Sequence, residues 1–152
     1  MAKGLSDPEQ SVHRILVVED NQPSSKLILK VLKLLGFEDI YCASNGLDAW
    51  SYFEDGVLFD LIICDWMMPK MNGLDVLKQL RASHSDIPFI MISAKKSDED
   101  AYLEAKANGV TAFVDKPFEM SDLINAITNS LPRAGGKPAN AATLDKSEVW
   151  EI

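Results

Sequence analysis

The sequence predicts an α/β protein built on a doubly wound, five-stranded parallel sheet with five helices. Three observations predict it. Five short apolar runs alternate with five stretches of helical periodicity. The runs are rich in Ile, Val and Phe and mostly lack polar alternation, the pattern of strands covered on both faces. The runs recur at about the length of one strand–helix unit, and such alternation implies parallel strands with helices on both sides.

The first strand is "RILVV" (14–18). The helix after it, "PSSKLILKVLKLLG" (23–36), places Leu27, Val31 and Leu35 four apart with Ile28 and Leu32 beside them, and Gly36 suits its C-cap. The second strand is "DIYCA" (39–43) and its helix is "NGLDAWSYFED" (45–55). The third strand, "DLIIC" (60–64), leads to "NGLDVLKQLRAS" (72–83), which also opens on Asn-Gly. The fourth, "PFIMI" (88–92), leads to "SDEDAYLEAKANG" (97–109). That helix begins with Ser97 as N-cap and acids in its first turn, which suits the helix dipole, and it ends at Asn108-Gly109. The last pair is "TAFV" (111–114) and "EMSDLINAITNSL" (119–131), with Leu123, Ile127 and Leu131 four apart.

With 152 residues, 47% of them apolar, the chain has room for one core and little else. We expect an N-terminal extension over 1–12, one domain over 13–131, and a flexible linker and tail over 132–152. "PRAGGKPANAA" (132–142) has linker composition, and "TLDKSEVWEI" (143–152) is too short for a second domain. Its Val149, Trp150 and Ile152 suit either a disordered end or a docking segment. The N-terminus lacks the apolar stretch of a secretory signal, and no run reaches the ~18 apolar residues of a membrane span, so a cytoplasmic location is expected. A net charge of −8 argues against nucleic-acid binding and against anionic membranes. Cys42 and Cys64 lie in apolar runs and are expected to be buried free thiols. His13 and His84 are too few and too poorly placed for a zinc site.

The strands end in chemistry. Glu19-Asp20 follows the first, Asp65 the third, Ser93 the fourth and Asp115-Lys116 the fifth. In a parallel sheet these ends share one edge, where ligands of such folds bind. Three carboxylates gathered there repel one another, and either protonation or a hard divalent cation relieves them. Mg²⁺ prefers oxygen ligands and pairs with phosphate. Asp20 and Asp65 are candidate direct ligands, with Glu19 acting through a water and Met67 offering a backbone carbonyl. An aspartate is also a competent nucleophile toward phosphorus. Lys116 would hold one phosphoryl oxygen as a point charge, and the Ser93 hydroxyl another.

"ILVVED", "DLIICDWMMPKMNGLDVLKQLR", "FIMISAK" and "AFVDKPF" together resemble the receiver domain of bacterial two-component response regulators, over about residues 13–131. "CDWMMPKMNGLDVL" is especially similar to stand-alone chemotaxis regulators of the CheY type. The resemblance implies the strand order 2-1-3-4-5, which is the known order of that family and not a result of spacing. It implies that Asp65 accepts phosphate from a phosphohistidine on a sensor histidine kinase or a histidine phosphotransfer protein. It makes Glu19 and Asp20 ligands of Mg²⁺, Ser93 and Lys116 contacts of the phosphoryl group, and Phe113 an aromatic switch. The Lys116–Pro117 bond is then cis, which a tertiary amide tolerates. Trp66, Ala94 and Lys95 flank the site, and Trp66 is expected to be partly exposed. Met67 stands where a polar side chain would orient a hydrolytic water, so a slowly hydrolysing phospho-form is expected. Such a protein is a switch with weak self-dephosphorylation, not a metabolic enzyme. It would be a monomer, with dimerisation on phosphorylation left open. It signals through residues 97–131 to a downstream protein that the sequence does not identify, in chemotaxis or another pathway. The alternatives are a single-domain phosphorelay intermediate and a receiver used for docking without phosphorylation. A phosphatase of the haloacid dehalogenase type fits poorly, since its Asp-x-Asp belongs to the first strand and position 67 here is Met.

Overall fold

The computed structural model describes residues 13–68, 70–83, 85–93 and 99–131. The expected extension 1–12, the tail 132–152, Ala94, Lys95, the Ser97 cap and His84 lie outside the described residues. Strands β1 (Arg14–Val18), β2 (Asp39–Ala43), β3 (Leu61–Asp65), β4 (Phe89–Ser93) and β5 (Ala112–Asp115) alternate with helices. The helices are α1 (Gln22–Leu34), α2 (Gly46–Glu54), α3 (Gly73–Ala82), α4 (Glu99–Ala107) and α5 (Met120–Ser130). All strand pairs are parallel, in the order β2-β1-β3-β4-β5. Among the described residues no helix is long and apolar enough to cross a membrane.

The uninterrupted apolar runs become two cores by simple alternation, because successive side chains of a strand point to opposite faces. Ile15, Val17, Leu61, Ile63, Ile90, Ile92 and Val114 pack against α1 and α5. Leu16, Val18, Ile62, Cys64, Phe89 and Met91 pack with side chains of α2, α3 and α4. β1, β3 and β4 are covered on both faces, as expected. β2 and β5 depart from that expectation because they are the sheet edges, and much of each stays half-exposed. Cys42 corrects a specific expectation for the same reason: it lies on edge strand β2 and is exposed, whereas Cys64 on β3 is buried.

The caps explain where helices start and stop. Asn21, Asn45 and Asn72 each accept a backbone N–H three residues on, from Ser24, Asp48 and Asp75. Asp75 returns the contact to the Asn72 N–H, closing a capping box. The two Asn-Gly pairs therefore mark caps, and the helices begin one residue later than their patterns. Gly36 follows the C-cap of α1 with φ 96°, and Gly109 follows α4 with φ 84°, the left-handed turn that ends a helix cheaply only with glycine. Arg81 of α3 donates to the carbonyls of Asn108, Gly109 and Ser85, tying the end of α4 to α3.

Candidate functional site

Strand register brings the acids together. Val18 pairs with Cys64, so one step further along both strands stand Glu19 and Asp65. Asp65 is itself the last residue of β3, and Ser93 the last of β4. Both are buried, as is Glu19. Asp20 is exposed beside them. Carboxylate oxygens of Glu19, Asp20 and Asp65 all lie within 4.8 Å of one another. From the far side, Lys116 reaches in: its Nζ is 3.0 Å from Asp65 Oδ2 and 3.4 Å from both Glu19 oxygens. The Lys116 backbone N–H donates to the Ser93 carbonyl at 3.0 Å, which sets β5 and β4 in register at this edge. The Lys116–Pro117 peptide is cis.

The backbone around Asp65 is held on several sides. The Trp66 N–H donates to the Ile92 carbonyl at 2.8 Å, and the Gly73 N–H to the Trp66 carbonyl at 2.9 Å. The Met67 N–H donates to Asp65 Oδ1 at 3.3 Å. A Cβ added at Gly73 would stand 2.6 Å from the Asp65 carbonyl oxygen and 2.8 Å from Met91 Sδ, so any larger residue there would displace the strand end. Lys70, with φ 72°, turns the loop back toward α3.

Electrostatics follows from this crowding. Burial, then a shared hydrogen bond with Asp65 and its charge, push Glu19 up to about 7, against the relief given by the Asn21 N–H and Lys116. For Lys116, burial lowers the pKa, but Asp65 and Glu19 together outweigh it and leave the ammonium raised. Burial and the neighbouring acids push the Cys64 thiol well up, so it stays neutral. Glu19 Oε1 lies within ion-pair range of Lys116 yet accepts no hydrogen bond, although it is buried. An all-oxygen cluster with a spare buried lone pair and a carboxylate that resists ionisation fits a hard divalent cation such as Mg²⁺.

The aromatic residues differ from expectation in one respect. Trp66 is 8% exposed, not partly exposed, because it packs into the core on the α2–α4 side. It stacks on Phe113, centroids 6.2 Å apart, and Phe113 stacks in turn on Tyr102 of α4 at 4.4 Å. Phe113 is half-buried and Met67 is exposed. Tyr102 escaped the sequence reading: nothing in the α4 pattern marks it off from an ordinary core position. Gly73 and the Asn21 N–H also went unremarked as parts of the site.

A family model described as the response regulator receiver domain matches residues 15–128. The chain belongs to that family. It is therefore a receiver domain of two-component signalling, a phospho-acceptor switch and not a conventional enzyme. The receiver is 36% identical over 107 residues to the chemotaxis protein CheY1 of Helicobacter pylori (strain J99), covering 69% of this chain and 86% of the relative. It is 31% identical over 128 residues to a chemotaxis protein CheY homolog of Campylobacter jejuni, covering 83% and 98%. A crystal structure of a response regulator from Chloroflexus aurantiacus matches with a TM-score of 0.70 at 28% identity, over 80% of this chain and 98% of the other. The receiver domain fold, sheet order included, is thus the one the sequence resemblance implied.

Proposed function

We propose that this receiver is a stand-alone response regulator that accepts a phosphoryl group on Asp65. The donor is a phosphohistidine of a sensor histidine kinase or a histidine phosphotransfer protein. The observation that carries the reading is the Lys116 ammonium 3.0 Å from Asp65, inside a cluster of three carboxylates at one sheet edge. An Asp65 oxygen attacks phosphorus as the bond to the imidazole nitrogen breaks, and the imidazole leaves with the electron pair. Lys116 holds one equatorial oxygen as a point charge, and the Ser93 hydroxyl donates to another. Glu19, Asp20, Asp65 and the Met67 carbonyl are the groups that would hold Mg²⁺. When bound, the ion supplies charge neutralisation for the phosphoryl oxygens.

The acyl phosphate is larger and more negative than the carboxylate it replaces. Lys116 and Ser93 turn toward it, and the face made by α4, β5 and α5 shifts between two states that pre-exist. Phe113 is the ring that changes place, and a downstream protein reads the shifted face. The two relatives named for chemotaxis favour that output for this chain. The domain proper spans 13–131, and the protein is a monomer in the cytoplasm before phosphorylation, with dimerisation on phosphorylation left open.

The test is incubation with a small acyl-phosphate donor and Mg²⁺, read by intact mass. A gain of one phosphoryl unit is expected in the unmutated chain and none in Asp65→Asn. No gain in either would leave a docking module that works without phosphorylation.

A further inference from the structure

We infer that the lysine-bearing face of α1 is a docking site for this chain's own residues 143–152, "TLDKSEVWEI". The full chain carries a net charge of −8, yet α1 carries Lys26, Lys30 and Lys33 and not one acid. Each of the other four described helices contains at least one. The three lysines are exposed, and among the described residues none has an ion-pair partner. Together with Leu29 and Leu34 they line an open groove of about 500 Å³. Leu34 is 58% exposed, so the groove offers apolar surface between cations.

Such a groove fits a segment that interleaves acids with large apolar side chains. Residues 143–152 do so: Asp145, Glu148 and Glu151 lie among Leu144, Val149, Trp150 and Ile152, with Lys146 the one cation, so the side chains of the segment sum to −2. Exposed ion pairs alone are worth little, so the apolar side chains must contribute most of the contact and the charges its orientation. The path is short. α1 and α5 pack on the same face of the sheet, and both run back from the strands' C-terminal edge. Leu131, just after α5, is buried in the same cluster as Val31 and Leu32 of α1. A coil of eleven residues, the length of the intervening "PRAGGKPANAA", spans about 18 Å. That matches the roughly 20 Å length of a thirteen-residue helix. Tethering at this range gives an effective concentration in the millimolar range, enough to populate a weak contact. A second copy of the chain is the poorer occupant, because two molecules at −8 repel.

The experiment places a nitroxide on the tail through Ser147→Cys in the full chain, with Cys42→Ser removing the exposed thiol. Paramagnetic broadening of backbone amides is then mapped by NMR. Loss of the amide signals of residues 29–34 is expected, reversed by Lys30→Glu with Lys33→Glu and weakened by Trp150→Ala. Broadening absent from α1, or spread evenly over the surface, overturns the inference. So does broadening that appears equally on an unlabelled, isotope-enriched copy mixed with the spin-labelled chain, since the occupant is then a second molecule.

Discussion

The two faces of the sheet are made of different material. Toward α1 and α5 the strands send aliphatic side chains, and Phe37 is the one ring among the buried members of that cluster. Toward α2, α3 and α4 they send Phe89, Met91 and Cys64, joined by Phe59, Trp66 and Met71. The β-branched Ile and Val of the first face have few rotamers and interlock in one way. Rings and thioethers can slide past one another with smaller losses. The site divides along the same line. In the strand alternation Glu19 and Asp65 follow the aliphatic face, two residues beyond Val17 and Ile63, the last of the ladder that includes Ile15 and Leu61. Phe113 follows the other face, and with Trp66 and Tyr102 it forms a stack that reaches from the site to α4. The stiff side holds the charges in place, and the compliant side can carry a rearrangement outward.

Several substitutions would break or sharpen that contrast. Ile63→Ala, at a fully buried position of the aliphatic face, should cost about 2–5 kcal/mol in a denaturant titration. Met91→Leu on the opposite face should cost under about 1.5 kcal/mol. Equal costs would remove the distinction. Gly73→Ala forces a methyl against the Asp65 carbonyl and should cost about 1–3 kcal/mol. It should also slow phosphoryl uptake, because the strand end must move.

The charged pocket gives a pH signature. Glu19 sits at about 7 in the folded chain, above its ordinary 4.5, so the folded state binds its proton more tightly than the unfolded one. Its contribution to stability is full below the ordinary value and is lost as pH rises through about 7. Without divalent cations, the free energy of unfolding should fall between about pH 5 and pH 8, by on the order of 1–2 kcal/mol once solvent screening of the pocket is allowed for. Glu19→Gln should flatten that slope, and an identical slope in the variant would mean that another group titrates. Magnesium should bind more weakly as pH drops below about 7, since the proton competes for the same carboxylate.

Phe113→Leu removes both ring contacts and should cost about 0.5–1.5 kcal/mol. It should also alter the Trp66 emission read with Trp50→Phe and Trp150→Phe in place. Unchanged emission would mean that the stack does not report on the site. The smallest change touches no core at all: Met67→Asn, at an exposed position, should leave stability within about 0.5 kcal/mol. It should nevertheless speed loss of the phosphoryl group severalfold, followed by intact mass over time.

Much of this was legible in the chain. Alternating apolar runs and helical stretches set the class, because a run of Ile, Val and Leu with no polar member needs cover on both faces. Asn45 and Asn72 marked helix starts, since their side chains satisfy amides that would otherwise lack partners. Residues 19, 20, 65, 93 and 116 stood out as polar positions at strand ends. Cys42 and Trp66 were misjudged in opposite directions. Local composition says nothing of whether a strand lies at an edge, nor of whether a ring after a strand turns back into the core.

Apolar period, cap residues and strand-end acids are local properties, and the sequence by itself determined them: five strands, five helices and a list of polar ends. Which ends meet was decided only by the tertiary structure. Distance between Lys116 and Asp65 depends on strand order and register, which no short window of sequence contains. The elevated proton affinity of Glu19 likewise arises from burial beside another carboxylate, a property of the assembled edge and of no single strand.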